Sequence, residues 1–394
     1  MKVIQINCVY GHGSTGVLTQ TLHRGLRERG YEMLAVYGRG ESVCEDGVIR
    51  LTPELYGKAN GLRARITGLM YGGCEASTTK LIKYLIKEKP DVVHLQCING
   101  TFVNIYRLVS YLNRAHIPTV ITLHAEFLYT ANCSHAYDCE RWKTGCGHCV
   151  QYRTQTRAWF RDASAASWRR MAAAFDGFAR LSVISVSPWQ MERAKASPFF
   201  VGARHLVIGN GVDTAVFRPC AAQKSEERIK IVNVTPGFDL RHGHNKGANH
   251  VLELAKRLDD RAEIRVVGPA NGVQGPENVV FLGPIRDPKV LARIYSEADL
   301  TLLTSRRETF SMVCAESLCC GTPVVGFRAG GPESITIPEY SSFCEYGDLE
   351  ALEKAVLSPP VGDRAQIAEA ARARYGLDRM IEQYLDEYQK VSAI

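Results

Sequence analysis

The chain has 394 residues, with 48 Lys plus Arg against 41 Asp plus Glu and a formal net charge of +7. Its 45% hydrophobic and 23% charged residues, with 34 Gly and 16 Pro, exclude a disordered, collagen-like or low-complexity chain. The length suits two or three domains with full cores. A +7 spread this thinly, without a recognised binding module, argues against nucleic acid. No apolar stretch reaches a membrane span, and Met1–Ile6 meets polar Asn7 too soon for a secretory leader of about 7–15 apolar residues. The expected location is the cytoplasm, with any membrane contact peripheral at the inner face. In that reducing compartment the 13 cysteines read as thiols or metal ligands before disulfides.

Strands and helices alternate along the chain. Lys2–Asn7 reads as a strand and Gly16–Arg29 as a helix with Leu18, Leu22 and Leu26 on one face. Strands are expected next at Glu32–Tyr37, Asp91–Leu95, Thr119–Leu123 and Leu181–Ser187. A second series follows at Ile229–Val234, Glu263–Val267, Val279–Leu282, Leu300–Thr304 and Thr322–Phe327. Between its members lie helical patterns at Ala248–Leu258, Pro288–Ser296 and Ser311–Cys319. This alternation predicts an α/β protein of two doubly wound parallel sheets, with ligands at the carboxyl ends of the strands. Asn-Gly and Arg-Pro place the join near Asn210–Pro219, dividing the chain into 1–208 and 209–376. A last helix, within 377–394, has no obvious place in the second sheet.

Gly11-His12-Gly13-Ser14-Thr15-Gly16 follows the first strand and opens a helix, a literal G-x-G-x-x-G. With Arg39 after the second strand it suits an NADP-dependent oxidoreductase. The physics is looser: small residues let backbone N–H groups approach an anion at a helix N-terminus, and a diphosphate or an acceptor phosphate fits equally.

The stretch Ala298–Gly326 is more informative. A buried strand ends in a polar loop, a helix starts near Thr309 or Ser311, and Gly321-Thr322-Pro323 stops it. Seven residues separate Glu308 from Glu316, which on a helix puts one carboxylate at its mouth and the other about 12 Å along it. That spacing is too long for one metal or proton relay and suits the two ends of one extended ligand. The amides of Thr309, Phe310 and Ser311 would face phosphate at the positive end of the helix dipole. Glu316 can accept from both hydroxyls of a ribose, and Glu308 from a sugar hydroxyl.

This stretch resembles the E-x7-E signature of glycosyltransferase family 4, retaining enzymes of the GT-B fold. Asn210–Pro219 is similar to the family's linker phrase, Asn245-Lys246-Gly247 to its lysine-glycine step, Gly330-Gly331-Pro332-Glu333 to a later loop, and Gly13-Ser14-Thr15-Gly16 to its first-domain glycine loop. The resemblance implies two Rossmann-like domains facing a cleft, a last helix crossing back to the first domain, and a UDP- or GDP-sugar donor. By motif position it implies that Lys246 neutralises the donor diphosphate and Glu316 holds the ribose. Glu308 would contact the donor sugar beside the Thr309–Ser311 amides, with Gly13, Ser14, Thr15 and Gly16 lining the donor site. His124, ending the strand Val120–Leu123, would face sugar and acceptor. The family's usual arginine after the strand Ile231–Val234 is missing, and Arg241 in the longer loop is the substitute. Lys246, Arg241 and the helix N-terminus would stabilise the leaving group without a divalent ion. The acceptor class implied is a glycan, lipid-linked, in capsule or exopolysaccharide synthesis. A nucleotide-sugar epimerase of the same fold and a nucleotide-sugar binding module remain alternatives, beside the NADP enzyme.

Four cysteines read Cys133-x5-Cys139-x6-Cys146-x2-Cys149. The tight last pair can present two thiolates to one tetrahedral zinc, with His135 and His148 as spare ligands, although the first spacing is wider than usual. A similar insert follows the strand-end histidine in some capsule and exopolysaccharide glycosyltransferases, so a structural zinc is expected, with free thiols as the alternative. Two segments hold the basic excess. Arg63, Arg65, Lys80, Lys83 and Lys87 lie among Leu, Ile and Tyr residues. Arg153, Arg157 and Arg161 fall at helical spacing beside Trp159, Phe160 and Trp168. Such faces suit anionic lipid, or plain solvent.

Overall fold

A computed structural model describes residues 1–220, 228–241 and 244–393. Its contacts form two units, Met1–Ile208 joined by the C-terminal residues from Ile381, and Gly209–Met380.

The first unit holds a seven-stranded sheet of β1 (Lys2–Asn7), β2 (Glu32–Tyr37), β3 (Val48–Arg50), β4 (Val92–Leu95), β5 (Thr119–Leu123), β6 (Leu181–Ser185) and β7 (Arg204–Val207). Its helices are α1 (Gly13–Glu28), α2 (Glu54–Thr67), α3 (Glu75–Glu88), α4 (Ile105–Arg114), α5 (Phe127–Thr130), α6 (Ser164–Phe175) and α7 (Pro188–Lys195). The strand order is β3-β2-β1-β4-β5-β6-β7, and all pairings are parallel. Strands covered on both faces need near-continuous apolar runs. Ile4, Ile6, Val93, Leu95, Ile121 and Leu123 supply them and pack with Leu81 of α3 and Leu108 of α4.

The second unit repeats the plan with β8 (Ile229–Val234), β9 (Ala262–Val267), β10 (Val279–Gly283), β11 (Leu300–Leu303), β12 (Val324–Phe327) and β13 (Ser341–Cys344). Helices α8 (Ala248–Leu258), α9 (Pro288–Glu297), α10 (Met312–Cys319), α11 (Gly331–Ile335), α12 (Leu349–Leu357) and α13 (Arg364–Tyr375) accompany them. The order is β10-β9-β8-β11-β12-β13, again wholly parallel. In each sheet the order reverses beside its first strand, between β1 and β4 and between β8 and β11. Doubly wound sheets bind ligands at that switch point.

The last helix, α14 (Leu377–Ala393), leaves the second unit and joins the first from Ile381 on. Gly25 permits its approach, since a Cβ there would lie 2.5 Å from Ile381 Cδ1. Buried polar contacts fasten it. Tyr388 Oη meets His94 Nδ1 at 2.7 Å, His94 Nε2 meets Thr122 Oγ1 at 2.8 Å, and Tyr384 Oη lies 2.9 Å from the same hydroxyl. Glu387 accepts from Ser182 and from Arg204 Nε.

Sequence patterning misses three strands, β3, β7 and β13, which are three or four residues long and, being at or near sheet edges, only partly buried. It also misreads Arg153, Arg157 and Arg161: residues 150–163 contain no helix, and Trp168 belongs to α6, where it donates to the Trp142 carbonyl. Among the described residues no helix is long and apolar enough to cross a membrane.

Candidate functional site

The second unit carries seven of the expected residues, all in the loops after β8 and β11 or in α10. Lys246 sits in the turn before α8, and two contacts with the loop after β11 hold that turn. Thr304 Oγ1 donates to the Lys246 carbonyl at 2.9 Å, and Arg306 N–H donates to the Asn245 carbonyl at 2.7 Å. Gly247 caps α8 at φ 67°, and a Cβ there would lie 2.1 Å from Thr304 O, so only glycine fits. This stitching delivers Lys246 Nζ to Glu308 Oε1 at 2.5 Å, both side chains partly buried.

Glu308 does not begin a helix. It bridges to Gly330, its N–H donating to Ala329 O at 3.0 Å and its carbonyl accepting from Gly331 N at 2.9 Å. Helix α10 starts only at Met312, with Ser311 as N-cap at φ 83° and its hydroxyl accepting from Cys314 N. The expected helical rise between Glu308 and Glu316 therefore does not apply. Thr309, Phe310 and Ser311 instead form a turn pressed against the next loop, where a Cβ on Gly331 would lie 2.3 Å from Thr309 O. Glu333 shapes that loop by accepting from the amides of Ala329 and Gly330 at 3.0 and 2.9 Å. A non-glycine residue at φ 83° costs about 1–3 kcal/mol, and such strain gathers at functional sites.

Glu316 lies one turn into α10, half-buried, where its carboxylate accepts from Tyr295 Oη at 3.2 Å. Burial pushes its pKa up to about 7, with the Tyr295 hydrogen bond opposing the rise. Tyr295 itself escapes sequence reading, because a fully buried tyrosine in α9 looks like packing. Arg241 is not brought to this group. Its guanidinium is 82% exposed and pairs with Asp239 in its own loop. His242 and Gly243 beside it lie outside the described residues.

In the first unit His124 follows β5, and its Nε2 lies 3.3 Å from Gln96 Oε1, which also accepts from Thr19 Oγ1 of α1. An amide oxygen only accepts, so Nε2 carries the proton. Burial pushes the His124 pKa down to about 4, which keeps the ring neutral near pH 7. Gly13, Ser14, Thr15 and Gly16 form the first turn of α1, with no side-chain cap, and Gly11 N–H donates to Gly16 O at 2.9 Å. A Cβ on Gly16 would lie 3.0 Å from Val9 Cγ2, tighter than most such contacts, and 3.4 Å from the Gly11 and Tyr10 nitrogens.

Cys133, Cys139, Cys146 and Cys149 line one cavity of about 270 Å³ with Trp142 and His148. Burial pushes the Cys146 thiol up to about 12 and Cys133 up as well. Among the described residues, however, no group of three or more His, Cys, Asp or Glu is placed to hold a metal ion. The four thiols share this one cavity, and all 13 cysteines are free of disulfides.

The Glycosyltransferase Family 4 sequence model matches residues 15–216, and the Glycosyl transferases group 1 model matches residues 237–358. An Escherichia coli K12 protein named for a colanic acid biosynthesis glycosyl transferase, WcaC, is 24% identical over 99% of this chain and 100% of its own. Among solved structures, sucrose-phosphate synthase from Thermosynechococcus elongatus superposes with a TM-score of 0.69 at 18% identity over 100% of both chains. HepE of Anabaena in complex with UDP-glucose gives 0.64 at 16% identity, over 99% of this chain and 100% of that one. The shared architecture is GT-B, and with one family model spanning more than half of its length, the chain belongs to glycosyltransferase family 4.

Proposed function

We propose that this glycosyltransferase moves a sugar from a UDP- or GDP-sugar, with retention of anomeric configuration, to a lipid-linked glycan in surface polysaccharide synthesis. The observation that carries the reading is the Lys246–Glu308 pair at 2.5 Å beside the Thr309–Ser311 turn, with Glu316 one helical turn further on. The donor diphosphate takes the Lys246 ammonium and the amides of that turn. Its arrival frees Glu308 to accept from a hydroxyl of the donor sugar, and Glu316 accepts from the two ribose hydroxyls. As the bond from the anomeric carbon to the diphosphate oxygen lengthens, negative charge grows where Lys246 and the α10 N-terminus stabilise it. The acceptor hydroxyl then attacks from the face the diphosphate leaves, the new glycosidic bond forming as its proton passes to the departing diphosphate oxygen. Neutral His124 is assigned to the acceptor side. UDP-glucose on HepE and the colanic acid role named for WcaC support the donor and polymer class.

The test is product analysis with a lipid-pyrophosphate glycan and a panel of UDP- and GDP-sugars, with and without a chelator. The reading expects one extended glycan whose new linkage keeps the donor's anomeric configuration, made equally well with chelator present. An inverted linkage, or donor epimerised without transfer, refutes it.

A further inference from the structure

Helix α2 is built inside out. Of its 14 residues only Gly57 and Ala64 are buried, whereas Leu55, Leu62 and Ile66 are 81%, 48% and 45% exposed. At 3.6 residues per turn these three side chains fall within about 40° of one another. Lys58 and Arg65 flank that stripe on one side and Arg63 on the other, all exposed. An ordinary surface helix turns its apolar stripe inward, and α3 does so with Leu81 and Leu85.

The stripe continues into a second segment. Trp159 N–H donates to the Arg65 carbonyl at 2.8 Å, and the Arg65 guanidinium lies 5.8 Å from the Trp159 ring centre. Trp159 and Phe160 are 45% and 72% exposed, and Arg153, Arg157 and Arg161 around them are exposed as well. Among the described residues only Lys58 of these six cations is in an ion pair, with Glu54 at 3.7 Å. The nearby carboxylate of Asp162 is occupied by the amides of Cys149 and Ser164. Helix and loop together make an apolar patch edged by six cations, five of which are in no ion pair among the described residues.

We propose that this face docks the protein on an anionic bilayer, with Leu55, Leu62, Ile66, Trp159 and Phe160 entering the headgroup boundary and the six basic side chains meeting lipid phosphates. Charge complementarity selects this occupant: the apolar tips favour an apolar phase, and the unpaired cations around them favour an anionic surface over it. The inference goes beyond the transferase reading and does not depend on it, because binding to lipid is read without donor or acceptor.

The test is co-sedimentation of the full chain with phosphatidylcholine vesicles and with the same vesicles containing phosphatidylglycerol, at low and high salt. The Leu62→Glu, Phe160→Glu double variant, changed at two exposed positions, is run beside it, with its thermal unfolding recorded to check that it folds. The proposal expects binding to the anionic vesicles that weakens with salt, and a bound fraction at least about tenfold lower in the variant. No binding by the unaltered chain, equal binding to neutral vesicles, or an undiminished variant overturns it. So does a dimer broken by the variant in a protein that ignores vesicles, which assigns the patch to a second copy. UDP-induced thermal stabilisation measured on the same samples reports separately on the second unit.

Discussion

Replacing Glu316 by Gln should stabilise the protein while weakening its hold on the donor. The unfolded chain releases this proton near 4.5, and the folded one near about 7, because burial disfavours the charge. Between those values the folded state binds more protons, so stability falls as pH rises through the window and levels off above it. The interval from 4.5 to about 7, at about 1.4 kcal/mol for each pH unit, comes to about 3 kcal/mol. Glutamine is neutral throughout and lacks this cost. Urea titrations of the ligand-free proteins should therefore coincide near about pH 4 and separate by about 3 kcal/mol in favour of Glu316→Gln near about pH 8. The same variant should bind UDP at least about tenfold more weakly, since hydrogen bonds to a charged acceptor contribute about 1.5–3 kcal/mol each. Parallel stability profiles for the two proteins, or unchanged UDP affinity, would refute the reasoning.

Lys246→Ala should lower UDP affinity about 10- to 100-fold in calorimetry, the loss of one charge-assisted contact to the diphosphate; undiminished binding would remove Lys246 from the site. Gly331→Ala drives a Cβ to within 2.3 Å of Thr309 O, so it should cost about 1–3 kcal/mol in denaturant unfolding and reduce UDP binding by displacing the Thr309–Ser311 turn. Tyr388→Phe leaves buried His94 Nδ1 without its 2.7 Å partner. It should destabilise the first unit by about 1–3 kcal/mol in hydrogen exchange while UDP affinity stays unchanged.

The sheets were legible because parallel strands buried on both faces must be written as apolar runs: β1, β2, β5 and β8 begin and end where those runs do. The edge strand β3 carries only Val48, Ile49 and Arg50 between polar turns, too little for patterning to catch. Glu308 and Glu316 stood out by their spacing and Lys246 through the family resemblance alone, and the geometry that joins them did not show in the sequence. A tertiary bridge to Gly330 holds Glu308 outside the helix, and no local rule announces a partner so distant in sequence. Arg241 shows the opposite limit: a cation in the right loop pairs with the nearest carboxylate, two residues away, and stays in solvent. The basic segments divide similarly. Both α2 and α3 mix cations with leucines, and only burial separates a helix packed by its apolar side from one that exposes it.

The central claim is that the second unit holds a nucleoside-diphosphate sugar through Lys246, the Thr309–Ser311 turn and Glu316. Calorimetric titration of the full chain with UDP, GDP and NADP, repeated on Glu316→Ala, tests it most directly. The account predicts binding of UDP or GDP that is abolished or strongly weakened in the variant, with no response to NADP. Binding of NADP alone, or nucleoside-diphosphate binding indifferent to Glu316, would contradict it.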